Sequence, residues 1–235
     1  MKQLKIFTLI LLVAFLSSCN KDSDDSSVVG DAIIVSKRSG TEVIYGVALY
    51  AYAFSSIKTA TAVNSTSPFE AIPLAANGSY SYNFYKEPSD SEYSETVPEA
   101  STYTFSGVFD SGATFECQDI LTSNALVPVT FEKCEYNTAS SYAELSWTAL
   151  ANADSYIIYV VDESGTIVFR SSELSNTVVS GTLNSSTSGW TSGYPINGAT
   201  YTVKIYAFEY EDSSNINSYQ LQATSISEST LVWGQ

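Results

Sequence analysis

After residue 30 the chain consists of short apolar runs separated by turn residues, and no other feature limits the possible folds as strongly. The runs are rich in Val, Ile, Tyr, Phe and Thr, and Gly, Asn, Asp and Ser lie between them. Helical periodicity is hard to find, whereas runs of this length and spacing are typical of antiparallel sandwiches. The sequence therefore predicts an all-β fold with two antiparallel β-sandwiches.

The first half of the chain predicts five strands, at residues 31–35, 43–54, 79–84, 102–109 and 113–117. The run 43–54 is apolar on both faces, which suits a central strand. Asp110-Ser111-Gly112 has the residue types of a hairpin turn. Residues 86–100 contain two prolines and five acidic residues, so they are predicted to form a mobile loop.

The second half contains LSW at 145–147, SYIIYVVDESG at 155–165 and INGATYTVKIYA at 196–207. These residues resemble a fibronectin type III domain, an Ig-like sandwich, over about residues 126–235. The resemblance implies that Trp147 packs in the core and that the Tyr201 hydroxyl hydrogen-bonds back across a corner. The chain departs from the family pattern at Asn197, where a proline is usual, and in a polar insertion at 184–193. Two Ig-like sandwiches are thus expected, at 31–125 and 126–235.

The first residues have the order of an export signal. A basic start is followed by the apolar run Ile6–Leu16, which is too short to span a bilayer, and then by Leu16-Ser17-Ser18-Cys19. That segment resembles the bacterial lipoprotein box, which implies a signal peptide over 1–18 and lipid attached to Cys19. The alternative is an ordinary signal peptide with an incidental cysteine.

Residues 19–30 are polar and acidic at their start, so they are predicted to form a lipidated, disordered tether. The acidic cluster after Cys19 resembles the export signal of outer-membrane lipoproteins in Bacteroidota-type bacteria. This resemblance implies a lipid-anchored protein on the outer face of the outer membrane, with the membrane as one partner. The alternative is a solvated spacer without an addressing role.

The charge and the missing residue types exclude several functions. Removal of residues 1–18, which contain Lys2 and Lys5 and no acid, changes the formal net charge from -15 to -17. Such a protein repels nucleic-acid phosphates, so no nucleic-acid partner is expected. The chain contains no histidine, the commonest general base and transition-metal ligand. We therefore expect no enzyme activity, no cofactor and no metal site, and we interpret the acidic clusters at 87–95 and 209–212 as solvated loops.

Two cysteines remain after Cys19. Cys117 and Cys134 lie in a chain that is expected to enter an oxidising compartment, so a disulfide between them is one alternative and two free thiols are the other. Phe131 and Cys134 differ in strand parity, so Cys134 is expected to point away from the core unless a β-bulge intervenes.

Trp190 is the candidate ligand-binding residue of the sequence. It lies in SSTSGWTSGY, where no strand alternation requires it, and Tyr194 is nearby. An exposed indole stacks well on the C–H face of a sugar ring, whereas an indole that folds back covers the end of the sandwich instead. Trp190 and Tyr194 therefore either form a weak glycan site or belong to the packing.

These observations favour a non-catalytic cell-surface binding module for an extracellular glycan or a surface protein. One alternative is a structural or adhesive, fimbria-like subunit, because lipidated two-sandwich proteins of this bacterial group include pilus components. Cleavage after an arginine frees an early strand in those proteins, and Arg38 follows a predicted strand here. A second alternative is a glycan hydrolase that uses carboxylates alone.

Overall fold

The structure is a computed structural model that describes residues 27–66, 70–211 and 220–235. The predicted signal peptide, most of the predicted tether and Cys19 lie outside these residues. The all-β prediction is confirmed: the described residues form fifteen strands, and their only helical element is a single 3-10 turn at Asp90–Glu92. No helix in these ranges is long and apolar enough to cross a membrane.

The strands are numbered in chain order. They are β1 (Val28–Ser39), β2 (Glu42–Ala53), β3 (Ile57–Asn64), β4 (Ile72–Asn77), β5 (Tyr80–Lys86), β6 (Ser101–Phe109), β7 (Thr114–Leu121), β8 (Phe131–Asn137), β9 (Tyr142–Trp147), β10 (Ser155–Val161), β11 (Ile167–Arg170), β12 (Leu174–Ser175), β13 (Ser180–Leu183), β14 (Thr200–Tyr210) and β15 (Leu221–Val232).

The first seven strands are hydrogen-bonded in the order β1-β2-β5-β4-β3-β6-β7. The sheet curls so that β7 returns beside β1, where the Ala32 N–H donates to the Asp119 carboxylate at 2.8 Å. The β6–β7 hairpin turns at Gly112, which has a φ of +90° and donates its N–H to the Phe109 carbonyl. Glycine adopts a positive φ at little cost, which explains why this position of the predicted turn is a glycine.

The structure differs from the sequence-based predictions at two places in this first unit, the start of β1 and the loop 86–100 that was predicted to be mobile. Residues 28–30, predicted to be tether, begin β1, because they pair with β2 and Gly30 packs so closely on the Phe105 ring that a Cβ there would lie 2.2 Å from it. The loop 86–100 is tied to the sheet by the backbone pairing of Tyr45 with Ser94 and by an ion pair between Lys37 and Asp90.

The second unit has the arrangement that the fibronectin type III resemblance implies. A sheet in the order β13-β9-β8 packs against β11-β10-β14-β15 of the large sheet. Trp147 is 1% exposed and its ring meets the edge of Tyr156 at a centroid distance of 5.8 Å. The Tyr201 hydroxyl accepts a hydrogen bond from the Ile196 N–H at 2.9 Å, which closes the corner.

The two units share one sheet. β1 pairs with β2 on one edge and runs parallel to β15 on the other, with Ile34 opposite Ala223 and Lys37 opposite Ile226. Buried apolar residues from both units form one continuous cluster. The predicted division near residue 126 therefore falls between two sets of strands that are joined by backbone hydrogen bonds through β1 and β15.

Candidate functional site

A groove of about 590 Å³ crosses the large sheet on the face away from the shared core. Its floor consists of small or β-branched side chains from β1, β2 and β15, including Ile33, Val35, Ala48 and Thr224. Aromatic side chains form the two sides of the groove, because β14 and β2 both place aromatic residues on this face of the sheet. We call this site the aromatic groove, and its ring-bearing residues are Tyr50, Tyr52, Tyr206 and Phe208.

Strand alternation positions these rings. In β14, Ile205 and Ala207 point into the core at 1% and 0% exposure, so Tyr206 and Phe208 point to the groove. Tyr206 and Phe208 stack at 6.3 Å with an interplanar angle of 21°. The ring planes are thus held by neighbours before any ligand arrives.

The polar groups of the aromatic groove are uncharged or acidic. The Tyr50 hydroxyl hydrogen-bonds to Glu87, and burial, with the nearby Glu87 charge, holds the pKa of Tyr50 well above its usual range. Burial likewise raises the pKa of Tyr206. Asn83 Oδ1 is buried and has no hydrogen-bond partner among the described residues. The groove therefore offers neutral hydroxyls and an unused acceptor.

Three carboxylates meet at one end of the groove. Asp31 of β1, Asp119 of β7 and Glu211, which follows β14, each place an oxygen within 4.8 Å of the others. Asp31 and Asp119 are 5% and 6% exposed. Burial raises the pKa of Asp31 to about 8 and that of Glu211 to about 7, and the charge of Asp119 adds to both shifts. We call these three residues the carboxylate cluster, which could hold either protons or a cation.

A larger depression of about 930 Å³ lies nearby and contains Lys37, Arg38 and Lys204. Its lysines already have partners, because Lys37 pairs with Asp90 at 2.9 Å and Lys204 with Glu228 at 2.6 Å. Its polar lining is thus largely used within the protein, whereas the aromatic groove retains an unused acceptor. We therefore take the groove as the candidate site.

Trp190, one of the two ligand-binding residues predicted from the sequence, packs inward. Its ring lies 4.9 Å from Phe169 and 5.3 Å from Trp233, and its indole N–H donates to the Asn184 carbonyl at 2.9 Å. The loop does not project, because the Thr191 N–H donates to the Val168 carbonyl beside β11. We call Phe169, Trp190, Tyr201 and Trp233 the end cluster.

Tyr194, the second predicted residue, lies next to the end cluster. Its hydroxyl donates to Asp162 Oδ2 at 3.1 Å, and its ring lies 6.4 Å from that of Tyr201. Trp190 and Tyr194 thus both pack at the end of the sandwich, and neither lines the aromatic groove. Glycan binding at these two residues stays a prediction.

Both remaining cysteines are free thiols in the structure, so the disulfide that the sequence left open is not formed. A β-bulge between Phe131 and Lys133 intervenes, and Cys134 consequently packs against the core together with Phe131. Burial raises the pKa of Cys117 and of Cys134. Both thiols are therefore weakly reactive.

Local sequence patterns did not reveal the aromatic groove or the carboxylate cluster. Alternation in YAFEY did signal that Tyr206 and Phe208 share a face, but it did not show which strands lie beside them. Asp31 was visible as a single acid in the apolar segment VVGDAIIV. Asp119 and Glu211, its neighbours in space, are 88 and 180 residues away in the chain.

Comparison with known proteins adds little to this geometry. No protein-family model and no curated protein match the chain. A two fibronectin type III domain segment from chicken tenascin is similar at 14% identity and a TM-score of 0.29, over 86% of this chain and 99% of that one. The BSP domain of a biofilm-associated protein is similar at 9% identity and a TM-score of 0.28, over 90% of this chain and 53% of that one. At these scores the likeness carries no argument about function.

Proposed function

We propose that this protein is a non-catalytic binding module that takes a neutral glycan in its aromatic groove. The observation that carries the proposal is an open trough with ring-bearing walls that also contains Asn83 Oδ1, a buried acceptor without a partner among the described residues. A buried polar atom without a partner costs free energy that a ligand donor recovers. Sugar hydroxyls supply such donors, and sugar C–H faces pack on aromatic rings.

Charge supports a neutral ligand over an acidic one. The groove contains Asp31 and Glu87 and no lysine or arginine among its described lining residues. The whole chain has a formal net charge of -15. Anionic polymers are repelled by such a surface, whereas uncharged oligosaccharides are not.

The test is binding of the full chain, purified in detergent, to an array of neutral oligosaccharides. We expect binding that falls at least about tenfold in Phe208→Ala and in Tyr52→Ala, because each variant removes one stacking surface. Tyr80→Ala is the matched control, since Tyr80 is 57% exposed and lies outside the groove. Unfolding curves of all variants show that the chains remain folded.

Three results would overturn the proposal. They are absence of binding by folded wild-type protein, binding that the groove variants do not change, and binding that only Trp190→Phe weakens. The last result would move the site to the end cluster, one of the two alternatives that the sequence left open for Trp190. Release of reducing sugar from bound oligosaccharides, measured in the same samples, would support the carboxylate hydrolase instead.

We also propose that Cys19 carries lipid and that the module is displayed on the outer surface of the outer membrane. The support is the Leu16-Ser17-Ser18-Cys19 segment and the acidic residues after it. Labelling with an alkyne fatty acid should mark the wild-type chain and not Cys19→Ser. Protease added to intact cells should then remove the labelled wild-type protein, and complete protection would contradict display on the outer face.

A second candidate function is an assembly subunit. β1 is hydrogen-bonded between β2 and β15, and most of its residues are buried, so its release after Arg38 would open a slot for a strand of another copy. The Arg38 side chain is exposed, and its backbone pairs with Val43 of β2, so cleavage there would require this edge of β1 to open first. Ladders of polymer bands on mildly denaturing gels that vanish in Arg38→Ala would support this function. A monomer in every preparation would exclude it.

A further inference from the structure

The carboxylate cluster lies where β1 changes partners. The first part of β1 lies beside β7, and residues Ile34 to Lys37 pair with β15. At this fork the Ala32 N–H donates to Asp119 Oδ2 at 2.8 Å, and the Leu221 N–H donates to Asp31 Oδ2 at 3.1 Å. The carboxylates therefore satisfy backbone donors that the diverging strands leave unpaired.

These hydrogen bonds do not use all of the oxygens. Asp31 is 5% exposed, and its Oδ1 is buried without a hydrogen-bond partner among the described residues. No lysine or arginine forms an ion pair with Asp31, Asp119 or Glu211 in the described part of the chain. Asp119 and Glu211 hydrogen-bond to each other through their side chains. When all three acids are ionised, their oxygens lie within 4.8 Å of one another with no positive partner, so they lack a compensating charge.

We propose that Asp31, Asp119 and Glu211 form a calcium site, with Asp31 Oδ1 as its buried ligand. Calcium accepts carboxylate and carbonyl oxygens in flexible geometry and fills its remaining positions with water. The cluster offers oxygen donors only, which disfavours zinc, because zinc in proteins prefers nitrogen and sulfur ligands. Magnesium fits less well, since it demands a near-ideal octahedron and keeps most of its water.

Bound calcium would link the two units. Asp31 and Asp119 belong to the first unit, and Glu211 follows β14 of the second. A cation that all three residues ligate would hold β7, β1 and the end of β14 together at the point where the shared sheet divides. The site would also fix one end of the aromatic groove, because Asp31 lines the groove. The calcium proposal does not depend on glycan binding.

The test is titration of the full chain with calcium chloride at about pH 7.5 by calorimetry, after removal of divalent ions with EDTA. With three carboxylates we expect one binding event with a Kd on the order of 10⁻⁴ M. A hundredfold excess of calcium over that Kd should raise the melting temperature by about 5 °C. Terbium replaces calcium in a second readout, because light absorbed by the nearby Tyr52 ring should sensitise its emission.

Glu211→Gln and Asp119→Asn should each weaken calcium binding at least about tenfold, because each removes one charged ligand. Glu163→Gln removes an exposed acid outside the cluster and is the matched control. Glu211→Gln keeps the test usable if Asp119→Asn fails to fold, since Glu211 is only partly buried. Absence of binding by folded wild-type protein up to about 10 mM calcium would overturn the site. Binding that neither variant weakens would overturn it as well.

Discussion

The end cluster and the aromatic groove contain the same residue types but differ in what their polar atoms do. In the end cluster the Trp190 indole N–H has a backbone acceptor at 2.9 Å, and Trp233 is 2% exposed. In the aromatic groove Tyr52 is 37% exposed, and Asn83 Oδ1 has no partner among the described residues. The rings of the end cluster cover the end of the sandwich, whereas the rings of the aromatic groove border an open groove.

This difference shows how unused hydrogen-bonding capacity separates a packing cluster from a candidate site. A tryptophan in a loop without strand alternation is a reasonable candidate for exposure, and that reasoning selected Trp190. The loop nevertheless pairs with β11 through the Thr191 N–H. Burial of a large aromatic surface then outweighs the benefit of keeping it free. The exposure of a loop side chain therefore depends on the strands that pack beside the loop in three dimensions. The neighbouring residues in the sequence do not reveal those strands.

The largest expected effect concerns pH at the groove end. The pKa of Asp31 is raised to about 8 and that of Glu211 to about 7, so the folded state binds protons more tightly than the unfolded chain. Their stabilisation is fully present below about pH 4 and is lost as the pH rises to about 8. In EDTA, the free energy of unfolding should fall by on the order of 4 kcal/mol across this range, less than the two pKa shifts alone imply, because Glu211 is partly exposed and water screens its charge.

Urea unfolding at a series of pH values measures that change. Glu92, whose pKa is lowered to about 2, is already ionised above about pH 5, so the upper part of the range reports on the carboxylate cluster. Glu211→Gln should flatten the curve there, whereas Glu163→Gln should not. The end cluster contributes no comparable change, and a flat wild-type curve between about pH 5 and 8 would contradict the buried cluster.

The next effect concerns the end cluster. Trp190→Ala removes the ring that contacts Phe169 and Trp233 and should lower the free energy of unfolding by about 3 kcal/mol. Urea unfolding measures the loss, and Trp190→Phe is the control that retains most of the ring contacts. If Trp190→Ala is as stable as the wild type, the indole is not a packing residue and the contrast with the groove disappears.

Phe208→Ala should have a smaller effect on stability, about 1 kcal/mol, because its ring lies on the open side of β14. The same substitution should abolish most oligosaccharide binding, whereas Trp190→Ala should lose stability and keep its binding. Paired unfolding and array measurements test this. A loss of stability in Phe208→Ala as large as that in Trp190→Ala would assign the groove rings to packing.

The smallest expected effect is that of Tyr194→Phe. This change deletes the hydroxyl that donates to Asp162 and leaves the ring beside Tyr201. This hydrogen bond is only partly buried, and water replaces it at little cost, so the melting temperature should not change measurably. Differential scanning calorimetry provides the check, with Trp190→Phe alongside. A clear drop in melting temperature would place Tyr194 among the residues that hold the sandwich end together.

Much of the architecture could be predicted from local patterns. The fibronectin type III resemblance correctly implied that Trp147 packs in the core and that the Tyr201 hydroxyl closes the corner. The β3 and β4 strands were missed, because IKTATAVN and IPLAAN contain no aromatic residue and each contains two alanines, a residue depleted in strands. The side of Cys134 depended on a bulge that parity alone could not locate.

Local sequence patterns account for the strand-forming character of this chain, the inward faces of its strongest strands and the corner at Tyr201, because these depend on neighbours within a few residues. The pairing of β1 with β15, the inward packing of Trp190 and the meeting of Asp31, Asp119 and Glu211 depend instead on the three-dimensional arrangement of the strands. Each of these contacts connects residues far apart in the chain or depends on which backbone edge is free. The candidate sites therefore emerge from strand pairing, which a local pattern leaves open.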